Sequence, residues 1–253
     1  MKPVQIRNLT IGCGRPKICV PIVERTKEEI LSFAEKITQS KADMVEWRAD
    51  WYESVMEPDK VYEVLVDLRN TLKDMPLLFT FRTLQEGGER AIEQAAYREL
   101  NCNVCKSGMT DLVDIELFSG EDTVKEILKT AHEYKAYGVI SSHDFEKTPS
   151  EKELIYRLDS MQKLGADIAK IAVMPQKKKD VLTLLSATEE VTTKGIEIPV
   201  ITISMGSYGS ISRISGEIFG SAVTFGTVEK SSAPGQFDAG KLFEILESIH
   251  QNG

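Results

Sequence analysis

Eight short runs rich in β-branched residues, separated by longer amphipathic stretches, constrain this chain more than any other feature. The runs are KICVPIV, DMVEWRAD, PLLFTFR, DLVDIEL, YGVISSH, DIAKIAV, PVITISM and AVTFGTV. Between them lie helical patterns such as KEEILSFAEKITQS, DKVYEVLVDLRNTLKD, TVKEILKTAHEYKA, EKELIYRLDSMQKLG and KKDVLTLLSATEEVTTK. Ends are marked: Thr148-Pro149-Ser150 precedes the fourth of these patterns and Gly165 follows it. Strand and helix alternating in this way predict a parallel α/β sheet. Two closures are compatible with it, an open doubly wound sheet and a (β/α)8 TIM barrel. Eight runs in 253 residues match the usual size and strand count of the barrel. No G-x-G-x-x-G follows the first run, which argues against an open dinucleotide-binding sheet. The opening VQIRNLTIGCGRPK contains two extended runs around a turn, predicted to form an N-terminal β-hairpin that closes the barrel bottom. No linker or repeat divides the chain, so residues 1–253 are read as a single (β/α)8 barrel domain.

The formal charge of −8 argues against nonspecific nucleic-acid binding while leaving room for a local basic pocket that captures an anion. No apolar run is long enough to span a bilayer and the N-terminal residues carry no apolar signal core, so a cytoplasmic protein with no membrane partner is expected. Cys102 and Cys105 form a C-x-x-C, readable as half a zinc site or a redox pair. A zinc site needs more ligands than this sequence offers nearby, so free thiols and no metal are expected.

In a barrel, chemistry belongs at the C-terminal ends of the strands. Glu46 and Arg48 end the second run, on one face of it. Arg82 ends the third, with Glu86 just beyond in RTLQEGGE, and Asp114 and Glu116 share one face of the fourth. His143 ends the fifth, Lys170 lies within the sixth, and Arg213 follows the seventh. Ser232 and Gln236 follow the eighth in KSSAPGQFD. Taken singly, each has a structural explanation: an ion pair, a solvated loop residue, a satisfied histidine. Together they gather cations, carboxylates and one histidine on a single rim. His132 falls in a helical pattern and His250 in the C-terminal tail, which leaves His143 as the candidate acid/base.

Lys170 poses the sharpest question, because an ammonium is costly to bury unless paired or neutral. Either its strand is exposed on one side, or the lysine is a nucleophile whose proton is loosened by desolvation and nearby arginines. A neutral lysine condenses with carbonyls to form a Schiff base. A histidine titrating near neutrality moves protons beside it, and arginine forks hold a carboxylate or phosphate. Such a set predicts carbon–oxygen or carbon–carbon cleavage next to a carbonyl in a small anionic substrate.

The segments VEWRAD, LLFTFRT with QEGGE, SSHDFEKTP, GADIAKIAVMP, ISRISGEIFGSAVTFG and SAPGQ resemble the type I 3-dehydroquinate dehydratases of the shikimate pathway, in order and over nearly the whole chain. The resemblance implies a cofactor-free (β/α)8 barrel, commonly a homodimer, that dehydrates 3-dehydroquinate to 3-dehydroshikimate through a lysine imine. It implies Lys170 as the Schiff-base lysine, His143 as the general acid/base, and Glu86 as the group that orients the histidine. Arg213 would grip the substrate carboxylate. Glu46, Arg48 and Arg82 would bind ring hydroxyls, Ser232 and Gln236 would close over the ligand, and Met205 and Phe225 would supply apolar wall. Pro21, Ser142 and Ala169 stand where the family usually has Ser, Asn and Pro. The rival readings are a class I Schiff-base aldolase acting on a sugar phosphate and a non-enzymatic anion-binding barrel.

Overall fold

The computed structural model describes residues 1–229 and 235–252. The chain opens with a hairpin, β1 (Val4–Ile6) and β2 (Leu9–Ile11), followed by β3 (Lys17–Ile22) and α1 (Lys27–Thr38). Next come β4 (Met44–Arg48), α2 (Pro58–Leu72), β5 (Leu77–Thr80) and α3 (Gln94–Ser107). The pattern continues with β6 (Leu112–Glu116), α4 (Glu121–Glu133), β7 (Tyr137–Asp144), α5 (Glu151–Lys163), β8 (Ile168–Val173) and α6 (Lys178–Lys194). It ends with β9 (Val200–Ser204), short helices α7 (Ser210–Ile214) and α8 (Gly216–Phe219), β10 (Val223–Thr227), β11 (Phe237–Asp238) and α9 (Ala239–Asn252).

Strands β3 to β10 pair in parallel in chain order, with β10 returning to β3, and the sheet curls into a TIM-type barrel with helices outside. All eight expected runs form these strands. The seam between β9 and β10 is the thinnest part of the ring. A single bridge, Val200 with Ser221, closes it, and the Ser221 hydroxyl accepts from Thr202 N at 3.0 Å where a longer ladder would otherwise run.

Local chemistry sets the helix ends. Thr26 caps α1 in a reciprocal capping box with Glu29. Ser150 caps α5, its hydroxyl accepting from Glu153 N at 3.4 Å, and Gly165 turns the chain out of that helix with φ +97°. Both were marked in the sequence.

The period-2 geometry of a strand sends alternate residues to opposite faces. Val45, Trp47, Phe79, Val113, Ile115, Ile140, Ala169 and Ile171 face outward into the core beneath the helices. Met44, Leu78, Leu112, Val139 and Ile168 face inward and fill the lower barrel. Ile6 and Ile11 of the hairpin join this inner cluster, both almost fully buried. Arg7 Nε donates to Asp111 Oδ1 at 2.6 Å, and the Tyr137 hydroxyl donates to the Gln5 carbonyl at 3.0 Å. The hairpin therefore closes the barrel bottom, as expected.

Cys102 and Cys105 lie on the buried face of α3 as free thiols, and burial pushes the Cys105 thiol up to about 12. The C-x-x-C is core. No described helix is long and apolar enough to cross a membrane.

Candidate active site

The inward positions just above the apolar layer are polar on strand after strand: Glu46 on β4, Thr80 on β5, Asp114 on β6, Ser141 on β7 and Lys170 on β8. Each lies two residues beyond an apolar partner of the lower layer, so the strand period stacks a charged floor on a greasy base. Lys170 accordingly points into the barrel rather than to solvent and is only 4% exposed. The solvated-strand reading of this lysine is excluded.

Its neighbours differ from the expectation of an amine crowded by arginines. Lys170 Nζ donates to Glu46 Oε1 at 3.1 Å and to Asp114 Oδ2 at 3.3 Å. Nζ also stands 4.7 Å from the Phe225 ring centre. Carboxylates and a π face, all partners of a cation, enclose the nitrogen.

Arg82, expected among the substrate contacts, is buried and its fork is engaged within the protein. Nη2 donates to Asp114 Oδ1 at 2.7 Å, and Nη1 to Glu116 Oε1 at 2.8 Å and Ser141 Oγ at 3.1 Å. Arg48 makes a bidentate pair with Asp50, 2.8 Å through both Nε and Nη2. Asp50 also accepts from the backbone N–H groups of Arg82 and Glu89, and so ties the end of β4 to the turn after β5.

His143 Nδ1 lies 2.9 Å from Glu86 Oε2, which also accepts the His143 backbone N–H at 2.9 Å. Glu86 sits in a short 3-10 turn and is buried, not solvated. One cavity is lined by Glu46, Arg48, Arg82, Glu86, His143 and Lys170. Phe145, Ala172, Ile203, Met205, Arg213, Phe225 and Gln236 complete its wall. The expected residues are thus brought together, except Ser232, which lies outside the described residues. Arg213 is buried on α7 and donates from Nη1 to the Phe225 carbonyl at 3.3 Å.

A model of the type I 3-dehydroquinase family matches residues 18–253. The chain belongs to that family. A 3-dehydroquinate dehydratase of Bacillus licheniformis is 50% identical over 251 residues, covering 99% of both chains. One of Clostridium botulinum is 51% identical over 249 residues, covering 98% of each. A crystal structure of the type I enzyme from Clostridium difficile, with covalent modified comenic acid, superposes at TM-score 0.97 with 47% identity. It covers 100% of this chain and 99% of that one. The likeness to 3-hexulose-6-phosphate synthase, at 16% identity and TM-score 0.61, shows the barrel fold alone.

Within this cavity, burial and neighbouring charges shift His143 and Glu86 in opposite senses. Burial, with the charges of Arg82, Lys170 and Arg48, holds His143 well below its ordinary proton affinity, so the imidazole is neutral at pH 7. Burial pushes the Glu86 carboxyl up to about 8 against the pull of Arg82. Glu86 Oε2 already accepts a backbone N–H, so the network assigns Nδ1–H as a second donor to it. That tautomer leaves Nε2 with its lone pair. Burial also lowers Arg213, to about 10, which keeps it cationic at neutral pH.

Asp50, Phe145 and the wall residues Ala172 and Ile203 were not singled out from sequence. Asp50 had a signal, the R-x-D in WRAD, and Phe145 stands two residues after His143 in SSHDF. Of the positions that depart from the family pattern, none lines the cavity. Ala169 packs in the outer core, and the Ser142 hydroxyl accepts from Arg157 Nη1 at 3.1 Å.

Proposed function

We propose that this chain, acting as one catalytic unit over residues 1–253, is a hydro-lyase that converts 3-dehydroquinate to 3-dehydroshikimate through an imine on Lys170. The observation that carries the reading is the buried Lys170 amine, enclosed in one cavity with the His143–Glu86 pair and Arg213. The covalent ligand in the relative from Clostridium difficile supports a covalent route. Lys170 condenses with the C3 ketone: the nitrogen–carbon bond forms, the carbonyl oxygen leaves as water with two of the ammonium protons, and the nitrogen keeps one proton as an iminium. The neutral His143 imidazole then takes the C2 proton, and the electrons flow into the iminium as in other acid/base steps by a positioned histidine. The enamine expels the C1 hydroxyl, which takes the proton back from His143 and departs as water. Hydrolysis of the imine returns the free lysine.

Glu86 orients the histidine, and Arg213 holds the substrate carboxylate with its fork. Glu46 and Arg48 meet the ring hydroxyls, Met205 and Phe225 form the apolar wall, and Gln236 and Ser232 are further substrate contacts. Arg82, engaged by three acidic side chains and Ser141, positions the carboxylates around it and, from the cavity wall, is a further contact for the ring hydroxyls. The family resemblance further supports a cytoplasmic homodimer in the shikimate pathway, and sedimentation of the pure protein tests the dimer. Borohydride added with 3-dehydroquinate should inactivate the enzyme and add the ligand's mass at Lys170, and Lys170→Ala should neither react nor be trapped. Trapping at another lysine, or activity in Lys170→Ala, would overturn the mechanism.

A further inference from the structure

Two carboxylates touch Lys170 Nζ, and they are held differently. Glu46 lies on the cavity wall, where an arriving ligand meets it. Asp114 does not line the cavity. It lies fully buried behind Lys170, with Oδ1 clamped by Arg82 Nη2 at 2.7 Å and by the Ser141 hydroxyl at 2.6 Å. The other oxygen, Oδ2, faces Nζ at 3.3 Å. Glu46 Oε1 is held by one neutral donor, the Thr80 hydroxyl at 2.9 Å, and faces the cavity, whereas Asp114 is clamped by a guanidinium and a hydroxyl and sits behind the nitrogen, out of a ligand's way.

Charge conservation gives this placement a chemical meaning. An ammonium and a ketone combine to give an iminium and one water. The nitrogen–carbon bond forms, the carbonyl oxygen leaves with two of the ammonium protons, and the nitrogen keeps one proton and its positive charge. A carboxylate suited to the ammonium is therefore equally suited to the iminium. No charge has to be rebuilt when the covalent bond forms, which is how a preorganised site stabilises a reacting centre. A protonated imine draws electrons from C2 far better than a neutral one, so the proton on nitrogen must be retained while His143 removes the C2 proton.

We propose that Asp114 is a catalytic residue whose Oδ2 serves as the counter-ion of the iminium on Lys170, holding that nitrogen protonated during C2 deprotonation. The inference rests on the imine reading above. Asp114 takes up no proton itself. Burial raises its carboxyl, but Arg82, Lys170 and the Ser141 hydroxyl outweigh burial and hold it below the usual carboxylate range. The other titratable groups around it are Glu46 on β4, Glu86 after β5, Tyr97 on α3, Glu116 on its own strand and His143 on β7. Of these, Glu46 also brings a carboxylate oxygen to Nζ, but from the cavity wall that a ligand meets.

The test is Asp114→Asn, which keeps the shape and removes the charge. Its kcat for 3-dehydroquinate should fall by ~10²-fold or more, with KM changed only a few-fold, and the alkaline limb of the kcat profile should move to lower pH. Unchanged kcat with an unchanged alkaline limb would overturn the counter-ion role. If instead borohydride trapped no adduct on Lys170 in the unaltered protein, the imine reading itself would fail, which is a separate outcome. Should Asp114→Asn not fold, ¹⁵N NMR of the labelled Nζ in the unaltered protein with bound product decides the matter. A protonated iminium signal persisting above pH 8 supports the proposal, and a neutral imine signal there overturns it.

Discussion

Glu86 shows how a single residue acquires a role that its type does not announce. A carboxyl in a glycine-rich turn is ordinarily solvated, yet here it is packed against Arg82 and His143, with a proton affinity that burial raises from 4.5 to about 8. The folded protein therefore holds this proton more tightly than the unfolded chain. The stability from that preference is complete below about pH 4.5 and is lost as the pH climbs through about 8. His143, lowered by burial, works in the opposite sense: its contribution is present above its ordinary value of 6.5 and is lost as the pH falls. Glu86→Gln has no proton to lose at this site. Its melting temperature should accordingly gain on that of the unaltered protein between about pH 5 and pH 8. A difference that stays constant across this range, measured by thermal unfolding, would show that Glu86 does not titrate there.

The turn after β5 is the element that converts this chemistry into geometry. It carries Arg82 and Glu86, is anchored at its base by Asp50, and pairs with itself through the bridge of Thr83 with Arg90. Gly88 N–H donates to the Thr83 carbonyl at 2.8 Å, so the chain doubles back tightly. A Cβ at Gly88 would lie 1.9 Å from the Arg82 carbonyl oxygen, a backbone atom that no rotamer change can move away. Gly88→Ala should therefore displace Glu86 relative to His143. Misplacement of about 1 Å costs on the order of 10²-fold in rate, so kcat/KM should fall by more than the loss of stability alone explains. Steady-state kinetics on the folded variant, with its melting temperature measured in parallel, checks this; full activity would show that the turn has slack.

At the scale of the whole molecule the barrel divides its labour from bottom to top. Apolar side chains and the hairpin make the base, Glu46 and Lys170 make the floor of the cavity with Asp114 behind them, and Arg48, Glu86 and His143 make its rim. Ile11 belongs wholly to the base, fully buried in the inner cluster. Truncating a buried isoleucine costs ~2–5 kcal/mol, which lowers the melting temperature of a chain this long by roughly 5–15 °C. Ile11→Ala should show that loss while KM and kcat at 25 °C stay as they were. A parallel fall in kcat would mean that the hairpin reaches the chemistry.

The alternation of strand and helix, the helix ends at Ser150 and Gly165, and the hairpin were all legible in the chain, because each depends on residues adjacent in sequence. The period of two inside a strand also placed Glu46 with Arg48 and Asp114 with Glu116 on common faces before any fold was known. Motif resemblance named Lys170, His143 and Glu86. The partners of those residues were beyond the sequence. Lys170 is 124 residues from Glu46 and 56 from Asp114, and nothing local indicates that two carboxylates, rather than arginines, would flank its amine. Arg82 read as a substrate ligand, and nothing in the sequence showed that the curl of the sheet would also bring Asp114, Glu116 and Ser141 around it. Strand periodicity determines which face a side chain takes; only closure of the barrel determines which side chains from the other strands it meets, because that depends on the stagger between strands distant in sequence.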